Sequence, residues 1–177
     1  LRRAGYIFEN IIVLGLTADE LVDAALEYEL WPVVDSIHTA RLYSEKAEKY
    51  GRSVKVLIAV DTGMGRIGYR VDDDGAAAEV AEMSKLPNIE VYGLFSHFAL
   101  ADAADKTYAN FQLENYKKFD NMLKDAGVNI AIRTLSNSAA ISDIEDAYYD
   151  LVRPGIILYG YYPSDEVMKD KVEVHPV

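Results

Sequence analysis

The sequence VLIAVDTGMGRIGY, residues 56–69, joins an apolar run to a loop that contains three glycines. The apolar run, Val56 to Val60, predicts a buried strand, and the loop carries a carboxylate at Asp61 and a guanidinium at Arg66. Glycines permit positive φ and a close approach of the backbone to a ligand, and a guanidinium suits a carboxylate or phosphate. The stretch predicts either a ligand site at the end of a buried strand or a sharp turn with a surface ion pair.

Apolar runs of strand length occur six times, and helical patterns separate most of them. This alternation predicts an α/β fold of βα units with a parallel sheet buried on both faces. Because no G-x-G-x-x-G follows the first run, we favour an incomplete (β/α)8 TIM barrel, lacking two units, over a doubly wound fold. The predicted strands are 11–14, 32–34, 56–60, 91–95, 130–135 and 156–159. One predicted helix begins at a capping box at 17–20, and the others cover 36–50, 76–83, 111–123 and 143–149.

The composition restricts the class of partner. The chain has 177 residues, of which 50% are hydrophobic, as expected for one compact domain. Its formal net charge of -11 repels phosphate backbones and anionic lipids, so we expect no nucleic-acid or membrane partner. There is no cysteine, which fits a cytoplasmic location, and the three histidines lack the spacing of metal ligands, so no metal site is expected.

Both ends of the sequence are typical of an internal piece of a longer protein. Leu1 to Gly5 has the basic residues and the final glycine of a last helical turn, without a preceding methionine. The chain stops at Val177 within an extended stretch. We therefore expect that this chain is a fragment.

Further polar groups follow the other predicted strands, where barrels place their functional residues. His97 could pack against an aromatic cofactor, act as a base, or be an ordinary core histidine. The Ser138 hydroxyl and the N–H groups of Gly155 and Ile156 resemble a cradle for an anion, although Ser138 could equally be a helix N-cap. Arg153 lies two positions before Gly155.

Four motifs, in order and spacing, resemble the alanine racemase family over essentially the whole chain. They are residues 60–68, residues 96–102 with the sequence SHFALAD, residues 137–140 and residues 153–160. The resemblance implies an incomplete barrel that binds pyridoxal 5'-phosphate (PLP) and comprises barrel strands three to eight. It also implies a partial barrel over residues 1–170, a connection at 171–177 into a missing C-terminal β domain, and a homodimeric parent.

The resemblance also assigns roles to six residues. It implies that Ser138, Gly155 and Ile156 hold the cofactor phosphate. His97 would pack on the pyridine ring and Arg153 would donate to the pyridine nitrogen. Arg66 would hold the phenolic oxygen of the cofactor and the carboxylate of alanine or a similar small amino acid.

The implied reaction is the interconversion of L- and D-alanine, which supplies D-alanine for peptidoglycan. Racemisation needs two bases on opposite faces of Cα. In the family these are a lysine and a tyrosine, and both are expected outside this chain, so the fragment alone is expected to be inactive. A serine or broad-specificity amino-acid racemase and a non-catalytic PLP-binding barrel are the alternatives.

Two positions depart from the family pattern. Ala59 stands where many members carry a carbamylated lysine that positions the arginine of the following loop, and Thr134 stands where many carry a histidine beside the pyridine-binding arginine. Both departures put the substrate and the catalytic competence in question. An unclosed barrel would also have two open strand edges, through which we expect association.

Overall fold

Five parallel strands stand side by side in chain order in a computed structural model that describes all residues from Leu1 to Val177. The order β1-β2-β3-β5-β6 never reverses, and β4 is a short strand paired with β3 alone. An unreversed parallel order is that of a barrel wall, whereas a doubly wound sheet reverses its order at a switch point. The chain is therefore an open, curled α/β half-barrel, as the sequence predicted in outline.

The elements alternate along the chain. The strands are β1 Ile11–Leu16, β2 Leu30–Val34, β3 Val54–Asp61, β4 Tyr69–Arg70, β5 Ile89–Phe95 and β6 Ile132–Thr134. The α-helices are α1 Val22–Glu27, α2 Ile37–Lys49, α3 Ala76–Met83, α4 Thr107–Asp125 and α5 Ser138–Asp143. Short 3-10 helices cover Arg2–Ala4, Asp19–Leu21, Glu145–Ala147 and Ile156–Tyr159.

Both faces of the central strand β3 are buried, as predicted, whereas no residue of the edge strand β1 is buried. Successive side chains of a strand point to opposite faces, and β3 divides accordingly. Val56 and Ile58 join a cluster of 35 buried residues that includes the helices. Leu57 and Ala59 join a cluster of four buried residues, with Val33 and Phe95, which contains strand residues only and therefore lines the inner face of the half-barrel.

The strand predicted at 156–159 is wrong, because Ile156–Tyr159 is a 3-10 helix. Its hydrogen bonds are local: Leu158 N–H donates to the Gly155 carbonyl at 3.0 Å and Gly160 N–H to the Ile157 carbonyl at 3.2 Å. A strand requires a neighbour that satisfies its backbone groups, and this segment pairs with none, while the Leu158 side chain is 64% exposed.

The predicted helix boundaries agree with the structure only in part. Ser36 caps α2 as expected, accepting from the Thr39 N–H at 3.3 Å, and the α4 segment ends before Gly127, which has φ +80°. The capping box at Thr17 does not form, because Ala18 occupies the N-cap position and the Thr17 hydroxyl is buried without a hydrogen-bond partner. The helix predicted over 143–149 is instead the end of α5 followed by a 3-10 turn.

The first residues form a 3-10 turn, Arg2–Ala4, which Gly5 closes in the left-handed conformation at φ +95°. This agrees with the predicted helical turn and its C-terminal glycine. No helix in the structure combines the length and the apolar character that a bilayer crossing needs.

Candidate functional site

The loop after β3 is shaped by its own carboxylate. Asp61 Oδ1 accepts from the N–H groups of Gly63 and Gly65, both at 3.0 Å. Asp61 is therefore occupied in folding the loop and makes no ion pair with Arg66, so the alternative of a surface ion pair is wrong. Arg66 is exposed, and its guanidinium has no hydrogen bond or salt bridge within the chain.

Gly68 lets this loop turn back onto the strand that precedes it. Its φ is +109°, and a Cβ added there would lie 2.7 Å from the carbonyl carbon of Ala59 and 2.8 Å from that of Val60. The close approach allows Tyr69 to pair in parallel with Val60. A glycine is therefore required at this position on both conformational and steric grounds.

Arg153 is the most densely bonded side chain of the site. Its Nε donates to Thr134 Oγ1 at 2.9 Å, and its Nη2 donates to the carbonyl oxygens of Ser96 and Leu135, the latter at 2.9 Å. Its Nη1 lies 3.1 Å from His97 Nδ1. Burial lowers the pKa of Arg153 to about 10, against the raising effect of Tyr116. The guanidinium is thus fixed between the ends of β5 and β6 and remains a cation at neutral pH.

His97 is neutral in this arrangement. Because an arginine has no acceptor, His97 Nδ1 must accept the hydrogen bond from Arg153, which places the ring proton on Nε2. Burial, together with the positive charges of Arg153 and Arg66, lowers the pKa of His97 to about 4. The site therefore holds an uncharged imidazole beside a fixed cation.

Ser138 and Gly155 meet as predicted. The Gly155 N–H donates to Ser138 Oγ at 2.8 Å, although the two residues lie 17 positions apart. Ser138 is the first residue of α5, whereas Asn137 is the N-cap and accepts from the Ala140 N–H at 3.1 Å, so the expectation that Ser138 could cap the helix is wrong. Ile156 begins the 3-10 helix, where a backbone N–H has no partner inside the helix.

Arg66 faces the same region. Together with Met64, Ile67 and His97 it lines a small pocket between the loop after β3 and the end of β5. Its charge also lowers the pKa of Arg153. Two guanidinium groups therefore act on one imidazole, and an acidic chain presents a locally positive site at the carboxyl ends of its strands.

The two departures from the family pattern are both fully buried. Ala59 packs on the inner face among apolar side chains, so it offers no polar support to the loop after β3. Thr134, with no exposed surface, accepts from Arg153 Nε and so supplies one of the acceptors that fix this guanidinium.

Sequence reasoning missed the polar residues of α4 that hold the site together. Gln112 and Tyr116 are buried in α4, and Tyr116 Oη donates to the Leu94 carbonyl at 2.9 Å and accepts from the Thr134 N–H at 3.1 Å. A signal was present, because both residues share the helix face of Ala109 and Leu113. A glutamine on that apolar face needs buried partners.

The fold and the site together define an α/β domain of the barrel type, with cationic and hydrogen-bonding groups collected at the carboxyl ends of parallel strands. Residues 1–163 match the family described as "Alanine racemase, N-terminal domain". The chain therefore belongs to the alanine racemase family.

Curated relatives agree with this assignment. The alanine racemase of Clostridium tetani is 47% identical over 177 residues, which is 100% of this chain and 45% of that protein. The alanine racemase of Clostridium novyi is 48% identical with the same coverage of both chains. The chain thus spans somewhat less than half the length of these relatives.

Solved structures show the same fold. The alanine racemase of Clostridium difficile 630 superposes with a TM-score of 0.94 at 41% identity, over 98% of this chain and 45% of that chain. The alanine racemase of Bacillus anthracis with bound L-Ala-P superposes with a TM-score of 0.87 at 29% identity, over 99% of this chain and 45% of that chain.

Proposed function

We propose that this chain is the cofactor-holding part of a PLP-dependent alanine racemase that interconverts L- and D-alanine. In this proposal residues 1–170 form part of the barrel and 171–177 lead into a C-terminal β domain. The five strands that stand side by side are then barrel strands three to seven, and the 3-10 segment at 156–159 takes the place of the eighth. The names of the relatives and their greater length support this proposal.

The observation that carries the proposal is the meeting of two bonded pairs at one end of the sheet: Arg153 with His97, and Ser138 with Gly155. These pairs join the ends of β5 and β6 to residues 153–155, which precede the last 3-10 helix. Together they offer a fixed cation and a neutral ring on one side and a set of anion-binding donors on the other. This donor set fits a phosphorylated pyridine.

The phosphate side of the fit rests on available donors. Ser138 Oγ accepts from Gly155, so the hydroxyl hydrogen remains free to donate to a phosphate oxygen. The N–H of Ile156 is a second donor, at the start of a helical turn. An added Cβ on Gly155 would meet Ser138 Oγ at 3.7 Å, in the space beside this donor. We therefore propose that Ser138, Gly155 and Ile156 hold the phosphate, with Ser138 and Ile156 as its donors and Gly155 fixing the Ser138 hydroxyl through its N–H.

The ring side rests on Arg153 and His97. A guanidinium has five N–H groups, and one on Nη1 stays available after the four contacts described above. We propose that this group donates to the pyridine nitrogen, which then stays unprotonated, while neutral His97 packs on the ring. When bound, the cofactor supplies an electron-withdrawing system that stabilises negative charge at the substrate Cα.

Arg66 completes the proposed site because its guanidinium is exposed and unpaired within the chain. It is available for the phenolic oxygen of the cofactor and for a substrate carboxylate, which it would orient. The two proton-transferring bases are proposed to belong to other parts of a dimeric parent protein. We therefore expect no racemisation by the 177-residue chain itself. The parent protein is expected to turn over L-alanine faster than L-serine.

The test of cofactor binding compares PLP with pyridoxal, which lacks the phosphate. We expect the chain to bind PLP more tightly, measured by the absorbance of the bound chromophore in equilibrium titrations. The Ser138→Ala variant should lose about tenfold to a hundredfold in PLP affinity, since a hydrogen bond to a charged group contributes about 1.5–3 kcal/mol. Its affinity for pyridoxal should stay unchanged.

The matched control is Ser84→Ala, because Ser84 is exposed and donates only to the nearby Ala81 carbonyl. This variant should bind both compounds like the parent chain. Equal affinity of the unaltered chain for PLP and pyridoxal would remove the phosphate cradle from the proposal, and so would an unchanged preference in Ser138→Ala.

A further inference from the structure

Gln112 joins the two loops that carry Arg66 and His97. It lies in α4 and has no exposed surface. Its Nε2 donates to Thr62 Oγ1 at 3.2 Å and to the His97 carbonyl at 3.1 Å, and its Oε1 accepts from the Ala99 N–H at 2.8 Å. One side chain thus satisfies polar groups from the loop after β3 and from the end of β5, which are more than 30 residues apart in sequence.

Further contacts from the same helix strengthen this junction. Thr62 Oγ1 lies 3.0 Å from Ser96 Oγ, which links the two loops directly beside Gln112. Asn115 Nδ2 donates to the Thr62 carbonyl at 2.9 Å, and Tyr108 Oη donates to the Gly63 carbonyl at 2.6 Å. The first half of the loop after β3 is therefore attached to α4, whereas Arg66 in its second half has no bond to the chain.

We propose that Gln112 is a positioning residue that holds the Arg66 loop and the His97 strand end in one fixed relation. This inference rests on the proposed function, because it concerns the placement of groups that would act on the cofactor and substrate. The Gln112 side chain makes no hydrogen bond to Arg66 or to the His97 ring. It acts on the backbone on both sides of the small pocket that these two residues line.

The chemistry explains why a glutamine is needed at this position. The junction contains a donor, the Ala99 N–H, and two acceptors, the Thr62 hydroxyl and the His97 carbonyl. Only a carboxamide presents an acceptor and two donor hydrogens from one planar group. An apolar residue of similar size would leave the Thr62 hydroxyl with Ser96 alone and would leave the partly buried Ala99 N–H and His97 carbonyl without their partner.

The test uses the Gln112→Met variant of the 177-residue chain, with Asn121→Met as the matched control. Asn121 lies on the exposed side of the same helix and has no hydrogen bond from its side chain. We expect amide hydrogen exchange at Ala99 to become about tenfold faster or more in Gln112→Met, because this partly buried N–H loses its acceptor. Exchange in the core of β3, at Ile58, should keep its rate, which shows that the fold is intact.

A double-mutant cycle with Thr62→Val separates positioning from simple loss of stability. Thr62→Val removes the loop partner but leaves the bonds of Gln112 to the end of β5. If Gln112 couples the two segments, the two substitutions together should weaken PLP binding by less than the product of their separate effects, because the second removes a link already broken. In the control pair, the separate effects of Thr62→Val and Asn121→Met on PLP affinity should multiply.

Two results would overturn the inference: unchanged exchange at Ala99 in Gln112→Met, or multiplicative effects of Gln112→Met and Thr62→Val on PLP affinity. Failure of the proposed function gives a different pattern. In that case the unaltered chain would bind no PLP, while the exchange rate at Ala99 would still decide whether Gln112 holds the segment. Thr62→Val also tests the loop attachment if Gln112→Met does not fold.

Discussion

The neutral state of His97 makes the chain sensitive to mild acid. Burial, Arg153 and Arg66 lower its pKa from 6.5 to about 4, so the unfolded chain binds this proton before the folded chain does. As the pH falls below 6.5, the free energy of unfolding should therefore decrease by about 1.4 kcal/mol per pH unit from this group. The decrease ends near pH 4, where the folded form is protonated as well, after a total loss of about 3 kcal/mol.

The hydrogen bond from Arg153 gives the structural reason. Protonated His97 would carry a hydrogen on Nδ1, which would point at the Arg153 donor 3.1 Å away. The added charge would also lie beside two guanidinium groups. Protonation must therefore displace Arg153 or open the site, and both cost stability.

The assay is urea unfolding between pH 7.5 and 4.5, compared for the parent chain, His97→Gln and His38→Gln. Carboxylates that titrate in this range contribute to all three proteins. The difference between the proteins in the slope of unfolding free energy against pH therefore reports on the substituted histidine. His38 is the control because its side chain is 79% exposed. We expect His97→Gln to lose less stability on acidification than the other two, by about 2–3 kcal/mol at pH 4.5. Parallel profiles for His97→Gln and the parent would refute the buried, neutral imidazole, as would a His97 pKa near 6.5 measured by NMR.

Three further substitutions test the packing around the site by urea unfolding at pH 7. Gly68→Ala should cost about 3 kcal/mol or more, because its Cβ would collide with the backbone of β3 at positive φ; a cost below 1 kcal/mol would contradict the close approach. Thr134→Val should cost about 1–3 kcal/mol by leaving a buried guanidinium N–H unpaired, while Thr134→Ser should stay near the parent. Lys106→Met should cost about 3–5 kcal/mol, since its partner Asp143 has a side chain only 1% exposed, whereas Lys117→Met on an exposed pair should cost under about 1 kcal/mol; equal effects would show that burial of the pair is unimportant.

Regular elements were predictable where local chemistry is decisive. The apolar run within β3 and the Ser36 cap of α2 follow from patterns within a few residues, and both are present in the structure. The segment 156–159 has an equally apolar run, yet it forms a 3-10 helix. Its composition favours a strand, but a strand forms only beside a neighbouring strand that pairs with it, and no local sequence pattern reveals that neighbour.

Some residues of the candidate site were likewise predictable from the sequence, and others were not. The polar groups that end the strands were identifiable because parallel strands bring their carboxyl ends to one edge. Their partners were identified less well. The resemblance placed position 134 beside the arginine but not the bond that Thr134 makes to it, and Gln112 was missed, because its role depends on burial beside the Ala99 N–H. The neutral charge state of His97 likewise depends on two arginines that approach it only after folding.

The sequence by itself determined the alternation of strands and helices, the glycine-rich loop after β3 and the motifs that identify the family, since these are properties of neighbouring residues. Tertiary structure alone decided which groups meet: Arg153 bonds to His97 across 56 positions, and Gln112 bonds to Thr62 across 50. Such contacts depend on how α4 packs on the curled sheet and on which polar atoms that packing removes from water. A hydrogen bond between distant residues becomes obligatory only once both partners are buried.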